Sequence, residues 1–479
     1  QKLLRRTTTG NSRTQPMIRT ALLSLLLAVS AKAEKPNIVF ILADDLGYGD
    51  LSCYGQKHFK TPAIDALAAG GIRFTDHYSG ATVCAPSRCA LMTGKHTGHA
   101  AIRGNGAFSL PASETTVATL LQKAGYETGL IGKSCVTGNT QTPEDLAAHG
   151  FAYFYGTTDH KDGHFRYPKF LYENTKKIDF PGNELHSGTQ YDLDLYSAKT
   201  LEFIERQSDD KPFFLVVSIP VPHAAIIVPD DSLEKGRASV GPEKKMKIPA
   251  KHPHYTAVAE PKASYAGLMI RIDEAVADLT KKLREKDMLD NTLVIFTSDN
   301  GPHSEGGYRP EMLKSSGPLR GQKRDLYEGG IRVPFIAHWP ATIKPGQTSS
   351  HPSAFWDFLP TACEIAGVPV PKSLDGISYL PTLLGRDEQK QHDFLYWEFH
   401  EMDQRRAVRS SDWKLVQYGL SKKPQGVIEL YNLKKDLEES NNVADKHPGI
   451  VESLTQKMNG ARVPNKLFPL PALDAPNGK

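Results

Sequence analysis

Cysteine is scarce: five residues in a chain of 479, an odd number, which is too few for the disulfide scaffold of a small exported domain. Internal repeats and low-complexity tracts are missing as well, and their absence excludes solenoids and fibrous arrays. The apolar run from Ala21 to Val29 falls well short of the roughly 20 residues that a bilayer-spanning helix requires. A stable membrane anchor is therefore not expected. Positive charge is only superficially in excess, because residues 1 to 33 hold six of the Lys and Arg and none of the acids behind a formal net charge of +4. Without them 52 basic residues face 54 acidic ones, a net charge of −2. No basic stripe with interleaved aromatics remains, which excludes a nucleic-acid partner.

What the chain does have begins with Met17-Ile18-Arg19, the apolar run, and then Ala31-Lys32-Ala33, the charged, apolar and small-residue order of a secretory signal peptide. Export to a periplasm or to the medium is the expectation, and residues before Met17 carry no structural role. The remainder is long enough for one large core and a smaller companion. Short apolar runs that end in polar residues read as strands: Asn37 to Leu42, Thr128 to Ile131, Phe213 to Ile219 and Thr292 to Thr297. Helices are expected over Pro62 to Ala69, with Thr61 as cap and Gly70-Gly71 as stop, over Thr116 to Ala124, and over Tyr265 to Lys286. Residues 230–255 break the pattern and read as a long insertion over one face of the sheet, either a solvated loop or a wall of the substrate entrance. Beyond about residue 385, strands at Arg406 to Arg409, Trp413 to Tyr418 and Val427 to Leu433 precede a helix from Ile450 to Met458. The expected fold class is α/β, a large mixed and mostly parallel sheet flanked by helices over residues 34–384. A smaller C-terminal α+β domain with an antiparallel sheet follows over 385–479.

Chemistry gathers at strand ends. Asp44-Asp45 stands directly after the first strand, and Asp299-Asn300 directly after the fourth. Ligands of open α/β sheets bind beyond the carboxyl ends of the strands, so these four side chains can meet. Adjacent carboxylates repel and ask for a cation, and an all-oxygen set selects a hard ion, Ca²⁺ with Mg²⁺ as the alternative. Either pair alone is better read as a helix or turn cap; two pairs at equivalent ends favour the metal. Cys84-Ala85-Pro86-Ser87-Arg88 opens a helix whose first-turn proline leaves backbone N–H groups and a positive dipole end facing any anion at position 84. Taken alone, Cys84 is better read as a small buried residue.

Cys84-Ala85-Pro86-Ser87-Arg88 nevertheless resembles the Cys-x-Pro-Ser-Arg signature of type I sulfatases, members of the alkaline phosphatase-like superfamily. NIVFILADDLGYGD (37–50), TSDNG (Thr297 to Gly301) and RGQKRDLYEGGIRVP (Arg320 to Pro334) carry the same likeness, which extends over nearly all of the chain after residue 33. The resemblance implies that a dedicated maturation enzyme oxidises Cys84 to Cα-formylglycine. It also implies that Asp44, Asp45, Asp299 and Asn300 hold a calcium ion together with the modified Cys84. Arg88, Lys133 in IGK and Lys323 in GQK fall on positions that grip the sulfate, and His223 in PVPHAA on the acid that protonates the leaving alcohol. Asp299 falls on the acceptor of the nucleophile's proton. A hydrated aldehyde suits the task because its second hydroxyl can expel the transferred group, where a thiol or serine would be left as a stable adduct.

One position departs from the family. Relatives commonly read Gly-Lys-x-His, whereas this chain reads Gly132-Lys133-Ser134-Cys135, which leaves His160 and His303 as candidates for the missing imidazole. After the nucleophile helix, Lys95-His96-Thr97-Gly98-His99 and Arg103-Gly104-Asn105 are rich in groups that bind hydroxyls or anions. They look like segments of bacterial sulfatases acting on sulfated galactose or N-acetylgalactosamine. His96, His99, Arg103, His160 and His303 are therefore the candidate substrate residues, and a sulfated glycan or small carbohydrate sulfate is the expected partner. Two rivals stand beside this reading. One is a phosphomonoesterase, phosphodiesterase or phosphonate hydrolase on the same scaffold; a two-metal phosphatase would need a second set of His and Asp ligands. The other is a sulfated-glycan binding protein in which Cys84 is never matured. With Cys84 consumed, four cysteines are left for one or two bridges.

Overall fold

The structure, a computed structural model, describes residues 35–136, 142–248 and 254–474; the export segment expected over 1–33 lies outside them. Among the described residues ten strands form one sheet, whose middle order is Phe335–His338, Thr292–Ser298, Asn37–Asp44, Phe213–Pro222, Glu127–Lys133 and Tyr153–Thr157. From Thr292–Ser298 onward the neighbours run parallel, and Phe335–His338 is antiparallel. The central strand explains the arrangement. Val39, Ile41 and Ala43 pack into the core on one face of the sheet, while Ile38, Phe40 and Leu42 pack into the core on the other. Successive side chains point to opposite faces, and a parallel strand covered on both faces reads as an unbroken apolar run. Each expected strand is present and runs further than its apolar core, ending at Asp44, Lys133, Pro222 and Ser298. The sheet therefore delivers the chemically active residues to one edge.

The Pro62–Ala69 helix starts and stops where expected, but Thr61 makes no side-chain cap. The N–H groups of Ala63 and Ile64 donate instead to the Asp273 carboxylate at 3.1 and 2.9 Å, a cap supplied across the fold that a local pattern does not reveal. Thr116 does cap the Val117–Lys123 helix, accepting the Thr119 N–H at 3.0 Å. The supposed insertion is corrected more substantially. Asp230–Val240 is a helix laid against the long Pro261–Glu285 helix, and a Cβ on Gly236 would come within 1.9 Å of the Ala263 carbonyl oxygen. Glycines that permit this contact are poor helix formers, which hid the helix in the sequence; residues 249–253 lie outside those described.

The C-terminal sheet has four antiparallel strands, Leu395–Phe399, Arg405–Ser410, Trp413–Tyr418 and Val427–Asn432, with the Pro448–Gly460 helix on one side. The first of these was not expected from the sequence. Leu395, Trp397 and Phe399 pack toward the larger sheet's loops while Tyr396 packs toward the terminal helix, so burial on both faces erased the alternation that marks a strand. All five cysteines are free thiols, and the expected bridges are not formed.

Candidate active site

Asp44 closes its strand, and Asp45 follows with φ of 65°, a left-handed backbone costing a non-glycine residue roughly 1–2 kcal/mol. The Asp299 N–H donates to the Ala43 carbonyl at 3.0 Å, and the Asp45 N–H donates to Asp299 Oδ1 at 3.1 Å. Asn300 Nδ2 donates to Asp45 Oδ1 at 2.6 Å. Two loops 254 residues apart in sequence are thus stitched into one acidic corner. Gly301 lets this corner close, since a Cβ there would stand 1.9 Å from the Gly329 carbonyl oxygen; two motifs widely separated in sequence share one tight contact.

Cations reach the corner from three other elements. Lys133 Nζ lies 2.5 Å from Asp44 Oδ2, at the end of a strand where Gly132 has φ of 108° and passes so close to the Ser218 carbonyl that no side chain would fit. Arg88, wholly buried, donates through Nε to Asp299 Oδ2 at 2.9 Å, through Nη2 to Asp44 Oδ2 at 3.2 Å and through Nη1 to Ser218 Oγ at 2.6 Å. Lys323 Nζ donates to Asp45 Oδ2 at 2.7 Å and to His223 Nε2 at 2.9 Å. His223 Nδ1 lies 2.6 Å from the Ala224 carbonyl, so the tautomer consistent with both contacts carries its proton on Nδ1.

Cys84 is the first residue of the Cys84–Thr93 helix and is buried at the floor of the site. Its Sγ lies 3.6 Å from Asn105 Oδ1 and 4.0 Å from His160 Nδ1, and Asn105 Oδ1 also accepts the Ala85 N–H at 3.2 Å. Burial pushes the thiol's pKa up, so the unmodified side chain is a poor thiolate nucleophile.

The donor set suits a hard cation. Asp44 Oδ1 and Asn300 Oδ1 are buried and have no hydrogen-bond partner, and a buried unpaired oxygen costs about 1–3 kcal/mol. One ion with oxygen ligands would satisfy both atoms and relieve the crowding of Asp44, Asp45 and Asp299. The three carboxylates differ in proton affinity. Burial opposes ionisation of Asp44, but Lys133, His223 and Arg88 hold it well below the usual carboxylate range, and Lys323 and His223 likewise lower Asp45. Burial and the neighbouring Asp44 charge raise Asp299 to about 7, making it the readiest proton acceptor of the three. Burial and then Lys323 lower His223 to about 4.

The expected residues do not all converge. Asp44, Asp45, Cys84, Arg88, Lys133, His223, Asp299, Asn300 and Lys323 meet as described, and His160 joins them. His303 does not present a free ring to the substrate: Nε2 lies 2.9 Å from the Pro222 carbonyl and Nδ1 accepts the Glu305 N–H at 3.1 Å. His96 and His99 turn toward Asp375, with His99 Nδ1 at 2.8 Å from Asp375 Oδ1 and the His96 N–H on Asp375 Oδ2 at 3.0 Å. Arg103 reaches into the C-terminal sheet, binding Glu398 Oε1 at 3.0 Å and the Val463 carbonyl at 2.9 Å. These three are corrected to fold-holding roles: polar side chains resemble substrate ligands in sequence whether they face a cavity or a neighbouring layer. Cys135 lies behind the site, its Sγ 3.6 Å from Arg88 Nη1.

Above Cys84 opens a cavity of about 190 Å³, with Asn105, His160, His164, Tyr255 and Arg324 among its walls. Glu305, which pairs with Arg324 at 2.7 Å and approaches Lys323 at 3.5 Å, was not expected at the site; nor were His164 and Tyr255. His164 could have been suspected from its place four residues after His160.

Two family profiles match the chain, one described as sulfatase over residues 36–368 and one as N-sulphoglucosamine sulphohydrolase, C-terminal, over residues 321–463. Human arylsulfatase A is 33% identical over 420 residues, covering 82% of this chain and 77% of that protein. The N-acetylgalactosamine-6-O-sulfatase of Bacteroides thetaiotaomicron is 28% identical over 521 residues, covering 90% and 94%. Among solved structures, Ps i-CgsB in complex with k-i-k-neocarrahexaose matches with a TM-score of 0.73 at 26% identity, over 89% of this chain and 92% of that one.

Proposed function

The chain belongs to the sulfatase family and is a sulfuric ester hydrolase; from that premise we propose that it removes sulfate from a sulfated carbohydrate of the galactose or N-acetylgalactosamine type, using one bound calcium ion and a Cα-formylglycine made from Cys84. The observation that carries this reading is the pair of unpartnered buried oxygens, Asp44 Oδ1 and Asn300 Oδ1, beside a Cys84 that its own burial keeps from acting as a thiolate. The carbohydrate is supported by the relatives, one named for N-acetylgalactosamine 6-O-sulfate and one solved with a carrageenan oligosaccharide.

Asp44, Asp45, Asp299 and Asn300 would hold the ion, with position 84 completing its shell. The ion and the aldehyde hydrate together supply a nucleophilic oxygen at neutral pH and a Lewis acid for the sulfuryl oxygens. Around them the side chains bind and move protons. Arg88, Lys133 and Lys323 offset charge on the sulfate. Asp299, the most proton-retentive carboxylate, accepts a proton from position 84. His223 and Lys323 share one proton across 2.9 Å, and an anionic ester beside them raises the affinity of His223 for it, readying the imidazole to protonate the leaving oxygen. With Cys135 turned away, His160 is the imidazole on the other side of position 84. The helix N-terminus that carries Cys84 favours the anion as well.

The reading includes export through the segment at residues 17–33 to a periplasm or the medium, and maturation by a formylglycine-generating enzyme. Matured protein is expected to release sulfate from position-defined sulfated galactose or N-acetylgalactosamine. Turnover of aryl phosphate in preference to aryl sulfate would favour a phosphoester hydrolase. An unmodified Cys84 peptide by intact mass, with glycan binding and no turnover, would favour the binding-protein alternative.

A further inference from the structure

The cavity above Cys84 has a floor, a wall and a rim of different chemistry. Its floor is the charge cluster already described, in which Asp44, Asp45 and Asp299 face Arg88, Lys133 and Lys323. One wall is aromatic: the His164 ring stacks on His223 at 4.4 Å and 7°, and Tyr255 lies 5.2 Å from His164 and 5.8 Å from His223. Asn105 stands on the lining too, and the volume of about 190 Å³ is that of a single sugar ring rather than of an oligosaccharide. Flat π-faces beside an amide carrying donors and an acceptor suit a ring with one apolar face and hydroxyls at its edge.

The rim adds positive charge that the cleaved group does not use. Lys161 lines the cavity and is exposed, with its backbone N–H tied to Asp159 Oδ1 at 2.8 Å. Arg324 gives one N–H to Glu305 at 2.7 Å, and a guanidinium has further donors in its fixed fork. Its backbone is held at φ of 78°, strained for a non-glycine residue, by its N–H on the Thr82 carbonyl at 3.1 Å and by Arg405 Nη1 on its own carbonyl at 3.2 Å. Strain held in place from both sides at a cavity edge fixes where a side chain is presented. The deep cations already match the carboxylates and the scissile sulfate, and Arg324 is matched by Glu305. Lys161 is the surplus.

We propose that this cavity is a subsite for one sugar ring bearing a second anionic group, a carboxylate or another sulfate, held at the rim by Lys161 and Arg324 while the scissile sulfate lies against position 84. The inference rests on the carbohydrate-sulfate reading and narrows it to doubly acidic rings.

The test compares kcat/KM of matured enzyme on matched single-ring substrates, one monosulfated and otherwise neutral, one also carrying a carboxylate and one disulfated, with aryl sulfate as reference. The wild type is expected to favour one of the doubly acidic rings by about tenfold or more, chiefly through KM, and the preference should shrink as salt is raised. Which of the two it favours identifies the second anion. Lys161→Gln and Arg324→Gln should each remove most of that preference, and Lys161→Arg should restore it. Equal kcat/KM on all three rings, or variants that weaken neutral and doubly acidic rings alike, overturns the proposal while leaving the sulfatase reading intact. Turnover of aryl sulfate with no release from any of the rings would instead remove the carbohydrate reading, and this inference with it.

Discussion

Buried charge is handled in opposite ways at the strand ends and at the junction with the C-terminal sheet. At the junction Glu398 is closed on every side: Oε1 accepts from Arg103 at 3.0 Å and contacts His400 Nε2 at 2.9 Å, and Oε2 accepts from Tyr396 at 2.8 Å and from Arg462 at 2.9 Å. Even its N–H is used, by Thr97 Oγ1 at 2.8 Å. At the strand ends three carboxylates crowd together, yet Asp44 Oδ1 and Asn300 Oδ1 find no partner. Nearly all buried polar groups in folded proteins are paired, so a cluster left open is one that something else completes. The closed cluster holds two layers together; the open one is where chemistry is done.

The comparison can be broken at either end, and the largest effect is expected at the open cluster. Asp45→Asn should lower kcat/KM for any sulfate ester by about 10³-fold or more, with circular dichroism showing retained fold; a loss of only a few-fold would remove Asp45 from the ion's shell. His223→Ala should cost about 10²–10⁴-fold on a sugar sulfate, whose alcohol needs a proton to leave, and distinctly less on 4-nitrophenyl sulfate, whose phenolate does not. Equal losses on both would deny His223 the role of acid.

At the closed cluster Glu398→Gln should destabilise the fold by about 3–5 kcal/mol, because two arginines lose their countercharge. A pH dependence accompanies it. Burial favours the protonated acid, but His400, Arg103 and Arg462 outweigh it and hold Glu398 at about 2, below the ordinary Glu value of ~4.3. The stabilisation is therefore complete above that ordinary value and is lost as pH falls toward 2. The gap in melting temperature between wild type and Glu398→Gln should close over that window, and a gap that stays constant would contradict the assignment. The smallest effect belongs to His99→Ala, which removes a partly exposed contact to Asp375; stability should change by less than ~1 kcal/mol, and sulfate release should stay close to the wild-type rate.

Sequence made the floor of the site legible and the walls illegible, for a physical reason. Asp44, Asp299 and Lys133 sit where apolar strands stop, and strand ends can be read from periodicity alone; the short Cys84 to Arg88 pattern marks its helix by its proline. His96, His99 and Arg103 have the right chemistry in the wrong direction, and direction depends on packing against a C-terminal sheet whose first strand, Leu395–Phe399, gave no alternating signal. His164 and Tyr255 come from loops, where no period constrains the side chain. The Asp230–Val240 helix was hidden by the glycines that let it pack.

The most direct measurement is anomalous diffraction from crystals of the matured protein grown with Mn²⁺ or Ca²⁺. The expected result is one ion within ~2.6 Å of oxygens from Asp44, Asp45, Asp299 and Asn300, with the side chain at position 84 beside it. An ion bound instead at the other grouping able to hold one, His96, His99 and Asp375, with nothing at the strand ends, would contradict the account.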